Sequence, residues 1–184
     1  MAAPEGFVYV PEALDEDEER RLLASLDGLD YREVVMHGRP ARRTVRHFGL
    51  SYDYQRFTVA PTDPLPADLE WLRTRAAHVS GVAEDRLVEV LVTRYPPGAG
   101  IGWHRDAPQF GSAVVGISAG AACRMRFQKG RGQDREVAAV DIAPRSAYVI
   151  SGAARWAWQH TIPATKALRY SVTFRTLRET KTPA

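Results

Sequence analysis

Apolar positions recur at helical spacing in two segments near the start of the chain. The first segment, residues 11–29, opens at a proline, carries its acidic residues early and reaches a glycine at Gly28. The second segment, residues 64–81, also opens at a proline and ends at Gly81. These features predict two amphipathic helices, and the texture of residues 31–60 between them predicts strands around a loop, the arginine-rich loop that contains His37 and His47.

From residue 87 onward the pattern changes to short runs in which apolar and polar residues alternate. In the run CRMRFQ, which begins at Cys123, the period of two indicates a strand with one buried face. Further β-rich runs are RLVEVLVTRY, REVAAVDI, RSAYVISG and LRYSVTFRTLR. We therefore predict an α+β, mainly β fold, in which a sandwich or barrel of short strands is supported by N-terminal helices.

Composition restricts the class of protein. The chain has 184 residues, of which 45% are hydrophobic and 26% charged, as expected for one globular domain with a sizeable core. Because there is no apolar run near 18 residues and the N-terminus does not resemble a secretory signal, we expect a cytoplasmic protein without a membrane partner. The single cysteine, Cys123, excludes an intramolecular disulfide and a metal site with several thiolates.

The net charge is only +3, but the basic residues are clustered. One cluster is the arginine-rich segment HGRPARRTVRH, residues 37–47, and the other is CRMRFQKGRGQDR, residues 123–135. Such clusters suit a polyanionic partner such as nucleic acid. The alternative is that these arginines form ordinary solvated surface.

The stretch GIGWHRDAPQFG, residues 100–111, sets a histidine and an aspartate two positions apart. In extended backbone, residues i and i+2 share a face, so His104 and Asp106 can reach one ion together. A non-haem Fe(II) site needs a second histidine. His160 is the best candidate because it follows a β-rich stretch, although a core histidine bonded to a backbone carbonyl is the alternative.

The run RYSVTFR carries two arginines six positions apart. An even spacing puts Arg169 and Arg175 on the same face of a strand, with their Cα atoms roughly 20 Å apart at about 3.3 Å per residue. If both face a barrel interior they need anions, and a short dicarboxylate near an iron fits between them. The alternative is an edge strand with both arginines in solvent.

Together these segments resemble the AlkB family of Fe(II)- and 2-oxoglutarate-dependent dioxygenases. The resemblance covers most of the second half of the chain, from LVTRYPPGAGIGWHRD through WQH to RYSVTFR. Other oxygenases of this superfamily share the HxD and distant histidine, but not usually RYPPG before them and RxxxxxR after them. The segment FGLSYDY, residues 48–54, also resembles a part of the family that contributes to the substrate side.

The resemblance implies a double-stranded β-helix, a jelly-roll relative, in a single domain over residues 1–184. Residues 1–86 would supply N-terminal helices and substrate-side strands, and residues 87–178 the catalytic core. Fe(II), 2-oxoglutarate and O2 would be required. The implied iron ligands are His104, Asp106 and His160, and the implied 2-oxoglutarate residues are Arg169 for the distal carboxylate, Arg175 near the proximal one, Tyr95 and Thr93.

The implied activity is oxidative demethylation or hydroxylation of alkylated bases in DNA or RNA, presented single-stranded or flipped out. The candidate substrate contacts are Arg42, Arg43, Arg46, Phe48, Tyr52, Tyr54 and Arg105, with core packing as the alternative for at least one of the aromatic residues. One departure is that the family's DNA repair demethylases carry an acidic pair soon after HxD, where this chain has APQF. RNA or another substrate is therefore left open.

Three other functions remain as alternatives. The same chemistry could act on a protein or a small molecule, although the basic clusters argue mildly against it. A non-catalytic nucleic-acid-binding relative would have no use for a 2-oxoglutarate pocket, and a zinc hydrolase would leave RxxxxxR unexplained. No obligate protein partner is indicated. Trp156 and Trp158, which precede His160, are expected to pack around it and fix its orientation.

Overall fold

Strands dominate the computed structural model, which describes residues 2–36, 38–53 and 58–178. The helices are α1 (Glu16–Asp27), α2 (Trp71–Ser80) and α3 (Gly152–Trp156). The strands are β1 (Phe7–Val10), β2 (Arg32–Met36), β3 (Arg39–Phe48), β4 (Leu50–Asp53), β5 (Thr58–Pro61), β6 (Glu89–Tyr95), β7 (Ile101–His104), β8 (Phe110–Gly120), β9 (Cys123–Lys129), β10 (Glu136–Ile142), β11 (Ser146–Ile150), β12 (Gln159–Ile162) and β13 (Arg169–Leu177).

Two antiparallel sheets form the body of the protein. The larger has seven strands in the order β1-β11-β8-β13-β6-β3-β2, the smaller has four in the order β10-β9-β12-β7, and β4 pairs with β5 in a separate hairpin. Side chains of both sheets meet in one apolar cluster, which includes Tyr95 and Val114 from the larger sheet and Met125 and Phe127 from the smaller. This is the jelly-roll arrangement of a double-stranded β-helix, and it confirms the predicted fold class.

The other face of the larger sheet is covered by the helices α1 and α2. Leu22 and Leu26 of α1 pack with Leu72 of α2 against sheet residues such as Val172 and Phe174. The main core therefore lies outside the β-sandwich. The space between the two sheets is left for polar side chains as well as the apolar cluster.

Both predicted helices form, but they are shorter than their sequence segments. Helix α1 begins at Glu16 because Asp15 is its N-cap. The Asp15 side chain accepts from the backbone N–H of Glu18 at 2.7 Å, and Glu18 accepts from the backbone N–H of Asp15 at 2.9 Å. Helix α2 ends where Gly81 adopts a left-handed φ of 70°, which glycine takes without steric cost.

The arginine-rich segment was expected to be a loop, and this is wrong for most of its length. Residues Arg39–Phe48 form β3, which pairs with β2 on one side and β6 on the other. Basic side chains do not prevent a strand when alternate residues reach solvent and a cavity. Among the described residues no helix is long and apolar enough to cross a membrane.

Candidate active site

The three predicted metal ligands converge between the sheets. His104 ends β7, Asp106 follows two residues later, and His160 lies on β12 directly opposite His104 in the antiparallel pairing. The two imidazole centroids are 4.2 Å apart, and His160 Nε2 is 3.8 Å from Asp106 Oδ2. Strand pairing therefore brings together residues that are 54 or more positions apart along the chain.

The local hydrogen bonds leave donor atoms of the three side chains available to an ion. His104 Nδ1 donates to the backbone carbonyl of Gly102 at 2.8 Å, which leaves Nε2 as its free nitrogen. In the described part of the chain, no group of three or more His, Cys, Asp or Glu side chains is arranged as a formed metal site. His104, Asp106 and His160 are thus converging donors, and two imidazoles with one carboxylate fit the preference of Fe(II).

Burial keeps both imidazoles neutral. It lowers the pKa of His104, and it lowers the pKa of His160 to about 3 with a further contribution from His104 nearby. Burial alone would raise the pKa of Asp106, but the Arg175 guanidinium and the two imidazoles hold it well below its usual range. Of these partners Arg175 carries a permanent charge, so we regard it as the main cause. The resulting set, two neutral imidazoles and an ionised carboxylate, is the protonation state that metal binding needs.

Arg175 is fully engaged by protein carboxylates. Its Nε and one terminal nitrogen donate to Asp106 Oδ1 at 2.9 and 2.6 Å, and the other terminal nitrogen donates to Glu89 Oε2 at 2.8 Å. Glu89 is completely buried, and its Oε1 lies 3.1 Å from His47 Nδ1. A buried network thus runs from the wall of the site at His47, through Glu89 and Arg175, to the candidate metal ligand Asp106.

Arg169 is also buried, but it has no such partners among the described residues. It is completely buried, and among the described residues its three guanidinium nitrogens have no hydrogen-bond acceptor. Its guanidinium carbon lies 5.2 Å from the centroid of the Tyr95 ring. Burial raises the pKa of Tyr95 to about 12, so this phenol keeps its proton. A buried, unpaired guanidinium needs an anion, and a carboxylate is the anion that it binds in bidentate fashion.

The strand that carries both arginines lies in the middle of the larger sheet, between β8 and β6. The alternative of a solvent-exposed edge strand is therefore wrong. Ser171 on the same strand face pairs in register with Thr93 of β6, and Ser171 Oγ is 3.4 Å from the hydroxyl of Tyr148. Hydroxyl groups thus accompany the two arginines along this face.

Two cavities meet at the converging donors. The inner one, of about 50 Å³, lies between the sheets and is lined by residues that include Thr93, Tyr95, Tyr148, Ser171 and His160. The outer one, which we call the outer chamber, has about 460 Å³ and is lined by Val34, Arg43, Val45, His47, Leu91, Thr93, Ile101, Gly102, Trp103, His104, Arg105, Asp106, Ala107, Phe110 and Arg175. His104, Asp106 and Arg175 line both cavities and form the boundary between them.

A further arginine fixes the loop that carries Asp106. Arg155 of α3 is 2% exposed and donates to the backbone carbonyls of Asp106 at 3.0 Å and Ala107 at 2.8 Å. Longer bonds reach the carbonyls of Phe110 at 3.4 Å and Gly111 at 3.3 Å. A single guanidinium therefore donates to four backbone carbonyls, two that precede β8 and two at its start.

The arginines predicted to hold substrate are divided between two faces of β3. Arg43 is buried and lines the outer chamber together with Val45 and His47, whereas Arg42 is exposed. Arg46 forms an ion pair with Asp63 and lies over the Phe48 ring at 5.2 Å. The alternation of β3 thus brings one of these three arginines into the chamber.

Three other predicted substrate residues are placed differently. Arg105 is exposed, lines the outer chamber and donates to the carbonyl of Ala157 at 3.1 Å. Tyr52 lines a neighbouring groove, and its ring is 6.0 Å from that of Phe110. Phe48 lies in the main core at 3% exposure, so core packing replaces the substrate contact predicted for it. Tyr54 lies outside the described residues.

The two tryptophans that precede His160 in the sequence differ in burial. Trp158 is buried in the apolar cluster between the sheets. Trp156 was expected to pack around His160, and this is wrong. It is 43% exposed, and its ring lies 4.2 Å from the guanidinium carbon of Arg155. Phe127 lies near His160, with ring centroids 6.2 Å apart.

Sequence reasoning missed Glu89, Arg155 and the position of His47. Glu89 is the one acidic residue in the apolar run VEVLV, and a lone charge in a buried strand is a usable signal for a buried ion pair. His47 was set aside because its segment was expected to be a loop. Arg155 has no comparable signal, since its role depends on which backbone carbonyls lie nearby.

The fold and the donor set are those of an iron- and 2-oxoglutarate-dependent oxygenase, and comparison with known proteins agrees. Residues 6–175 match the family model described as the 2OG-Fe(II) oxygenase superfamily. The chain is 16% identical to OsALKBH1, with a TM-score of 0.71 over 96% of this chain and 100% of that one. It is 21% identical to an oxidoreductase of the 2OG-Fe(II) oxygenase family from Burkholderia pseudomallei, with a TM-score of 0.63 over 95% of this chain and 86% of that one. At these identities the structural likeness shows the shared fold.

Proteins related to the chain in sequence give more specific information than the structural matches. The chain is 28% identical over 177 residues to tRNA (carboxymethyluridine(34)-5-O)-methyltransferase ALKBH8 of Macaca fascicularis, covering 90% of this chain and 25% of that protein. It is also 28% identical over 182 residues to the alkylated DNA repair protein ALKBH8 homolog of Arabidopsis thaliana, covering 86% of this chain and 51% of that protein. The chain thus spans about a quarter of the length of the first of these relatives.

The chain belongs to the 2OG-Fe(II) oxygenase superfamily, and within it to the AlkB-like dioxygenases. The family implies Fe(II), 2-oxoglutarate and O2 as the requirements for activity. The particular substrate does not follow from membership.

Proposed function

We propose that this dioxygenase oxidises an alkyl group on a nucleic acid base, by demethylation or hydroxylation. One observation carries the proposal. His104 and Asp106 line two cavities: the inner one is also lined by Tyr95, whose ring lies against the anion-free guanidinium of Arg169, and the outer one is a chamber of about 460 Å³ with arginine in its wall. In this proposal a dicarboxylate binds on the inner side and a substrate in the outer chamber, whose volume lies within the usual range for small-ligand sites.

His104, Asp106 and His160 are the residues that would hold Fe(II), and Arg169 would pair with the distal carboxylate of 2-oxoglutarate. The Tyr95 hydroxyl keeps its proton and can donate to the same co-substrate, while Thr93 lies at the junction of the two cavities. With iron bound, each turnover consumes O2 and 2-oxoglutarate, releases succinate and CO2, and inserts one oxygen atom into a substrate C–H bond. A hydroxylated N-methyl group then loses formaldehyde.

Within this proposal the protein's own side chains have defined tasks. Arg175 holds Asp106 ionised and oriented through two hydrogen bonds, which leaves Oδ2 for the metal. Arg155 holds the backbone of the same residue. The inner cavity lies between the two sheets, and shielding it from bulk water would favour oxidation of the substrate over unproductive turnover.

Charge and relationship support nucleic acid as the substrate. Arg43 and Arg105 line the outer chamber, and the printed names of the relatives refer to tRNA and to alkylated DNA. A base must leave its stack to enter such a chamber, which favours single strands or flipped bases. The absence of the acidic pair after HxD weighs against the usual recognition of a DNA lesion, so RNA is the substrate we would test first.

One observation favours the alternative of a protein or small-molecule substrate. Several residues of the basic clusters are already paired with acids, as in Arg46–Asp63, Arg124–Asp141 and Lys129–Glu136. These pairs reduce the positive potential available for a phosphate backbone. The chemistry at the iron would be unchanged, and only the chamber's occupant would differ.

The test is succinate production by protein loaded with iron under anaerobic conditions and then given O2 and 2-oxoglutarate. The reaction is run without substrate, with methylated DNA and RNA oligonucleotides, and with tRNA fragments carrying a 5-carboxymethyluridine. His104→Ala should abolish turnover, and His78→Ala, on the exposed part of α2, is the matched histidine control. Turnover raised by one class of nucleic acid supports the proposal. Turnover that no nucleic acid raises favours the alternative, and no turnover from iron-loaded protein refutes both.

A further inference from the structure

The wall of the outer chamber contains a histidine whose hydrogen bonding is fixed from behind. His47 lines the chamber, and its Nδ1 lies 3.1 Å from Oε1 of the completely buried Glu89. We propose that His47 is a specificity-determining residue, which accepts a hydrogen bond from an N–H group on the substrate base. This inference rests on the proposed nucleic acid function and names which bases the chamber takes.

The direction of the hydrogen bond follows from the state of Glu89. Its other oxygen accepts from Arg175 at 2.8 Å, and because a guanidinium can only donate, we assign Glu89 the accepting role toward His47 as well. Nδ1 of His47 must therefore carry a proton and donate to Glu89. In this tautomer Nε2 carries no proton and is an acceptor.

Whether the second ring nitrogen of His47, Nε2, receives a hydrogen bond affects which ligand the outer chamber binds. Within residues 2–36, 38–53 and 58–178, Glu89 is the hydrogen-bond partner recorded for the His47 ring. The same chamber is lined by the apolar residues Val34, Val45 and Leu91, and also by Arg43, Arg105 and Arg175. The His47 side chain is 17% exposed, and a largely enclosed polar group discriminates against a ligand that leaves it unpaired.

This requirement separates alkylated bases into two classes. 1-Methyladenine and 3-methylcytosine keep an exocyclic amino group, and uridines substituted at C5 keep the N3–H group. 3-Methyluracil and 3-methylthymine present only carbonyl acceptors on the same edge. We therefore expect the first class to be oxidised and the second to be disfavoured, because two acceptors that face each other cannot form a hydrogen bond.

The activity test compares kcat/KM for RNA oligonucleotides that contain 3-methylcytosine or 3-methyluracil, which differ at C4. We expect wild-type protein to prefer 3-methylcytosine, and His47→Leu to reduce that preference by about tenfold or more. His47→Gln, which retains an acceptor, should restore part of it, and His78→Leu should leave it unchanged. Because both substrates are measured on one preparation, the folded fraction cancels from the ratio.

A second readout needs no turnover. In metal-free protein labelled with ¹⁵N, the nitrogen shifts of His47 should show a protonated Nδ1 and an unprotonated Nε2. The opposite tautomer would overturn the inference, as would a His47→Leu variant that keeps the wild-type preference or a wild type that prefers 3-methyluracil. If wild-type protein forms succinate but oxidises no nucleic acid, the proposed function fails and the inference fails with it. If nucleic acid is oxidised without regard to His47, only the inference fails.

Discussion

Arg169 and Arg175 lie on one strand face, are both buried, and should respond in opposite ways to the same substitution. Arg175 donates to two buried carboxylates, whereas the nitrogens of Arg169 have no acceptor among the described residues. We expect Arg175→Met to destabilise the metal-free, ligand-free protein. Arg169→Met should leave its free energy of unfolding unchanged or raise it.

The magnitudes follow from the partners of each guanidinium. Breaking a buried ion pair by removing one partner costs about 3–5 kcal/mol, because Asp106 and Glu89 would then be buried without compensation. A buried unpaired polar group costs about 1–3 kcal/mol, and removing Arg169 relieves that cost. The contact of Arg169 with the Tyr95 ring returns roughly 1 kcal/mol. The net effect of Arg169→Met is therefore about 0–2 kcal/mol of stabilisation.

The assay is equilibrium unfolding in urea, in the presence of a chelator and without dicarboxylates, followed by the same titration with 2-oxoglutarate and metal. Loss of two charge-assisted hydrogen bonds, together worth about 3 kcal/mol, should weaken 2-oxoglutarate binding by Arg169→Met roughly 100-fold. The stabilisation that the co-substrate gives to the wild type should disappear in this variant.

The reasoning would be refuted if Arg169→Met were destabilised as strongly as Arg175→Met, since that would mean that Arg169 already has protein partners. It would also fail if Arg169→Met bound 2-oxoglutarate as tightly as the wild type. An unchanged urea dependence, the m-value, is the control that both variants unfold from a comparable native state.

Three further predictions follow from the site. Burial holds the pKa of His160 at about 3, below the ordinary value of 6.5, so the unfolded chain binds the extra proton between these values and stability should fall as pH drops from 6.5 towards 3. His160→Gln should flatten this loss in unfolding measured across that range. Arg155→Met should weaken Fe(II) binding by about 10- to 100-fold in a metal titration, because the backbone of Asp106 loses its donor; unchanged affinity would contradict this. A Cβ at Gly116 would lie 2.1 Å from the Tyr148 ring, which lines the inner cavity, so Gly116→Ala should cost about 1–3 kcal/mol in urea unfolding and weaken 2-oxoglutarate binding.

The parts of this structure that could be predicted from the sequence depend on short-range periodicity. The alternation of RYSVTFR placed Arg169 and Arg175 on one face, and the structure has Tyr170, Val172 and Phe174 in the helix-covered core on the other. The period of two in CRMRFQ likewise predicted β9. Such patterns are local because successive side chains of a strand point to opposite faces whatever its neighbours are.

The parts that could not be predicted depend on register between distant strands. Nothing in the local sequence of Glu89 indicates that Arg175, 86 residues later, will donate to it, because that contact requires β6 and β13 to pair with these two residues opposite each other. The contacts of Arg155 are even harder to predict from the sequence. Its partners are backbone carbonyls, which have no side-chain signature, so only the folded chain defines them.

The arginine-rich strand shows why counting charge gave an incomplete account of the substrate side. Its alternation sends Arg43 and His47 into the outer chamber, while Arg46 on the other face is paired with Asp63. Fixed charge near a phosphate backbone raises affinity without distinguishing one base from another. Discrimination requires a hydrogen-bonding group of defined direction, and in this chamber His47 has that direction set by the buried Glu89. The arginines and His47 should therefore separate by experiment. Raising the salt concentration should weaken binding of every oligonucleotide alike, whereas substitution of His47 should change only the ranking among bases.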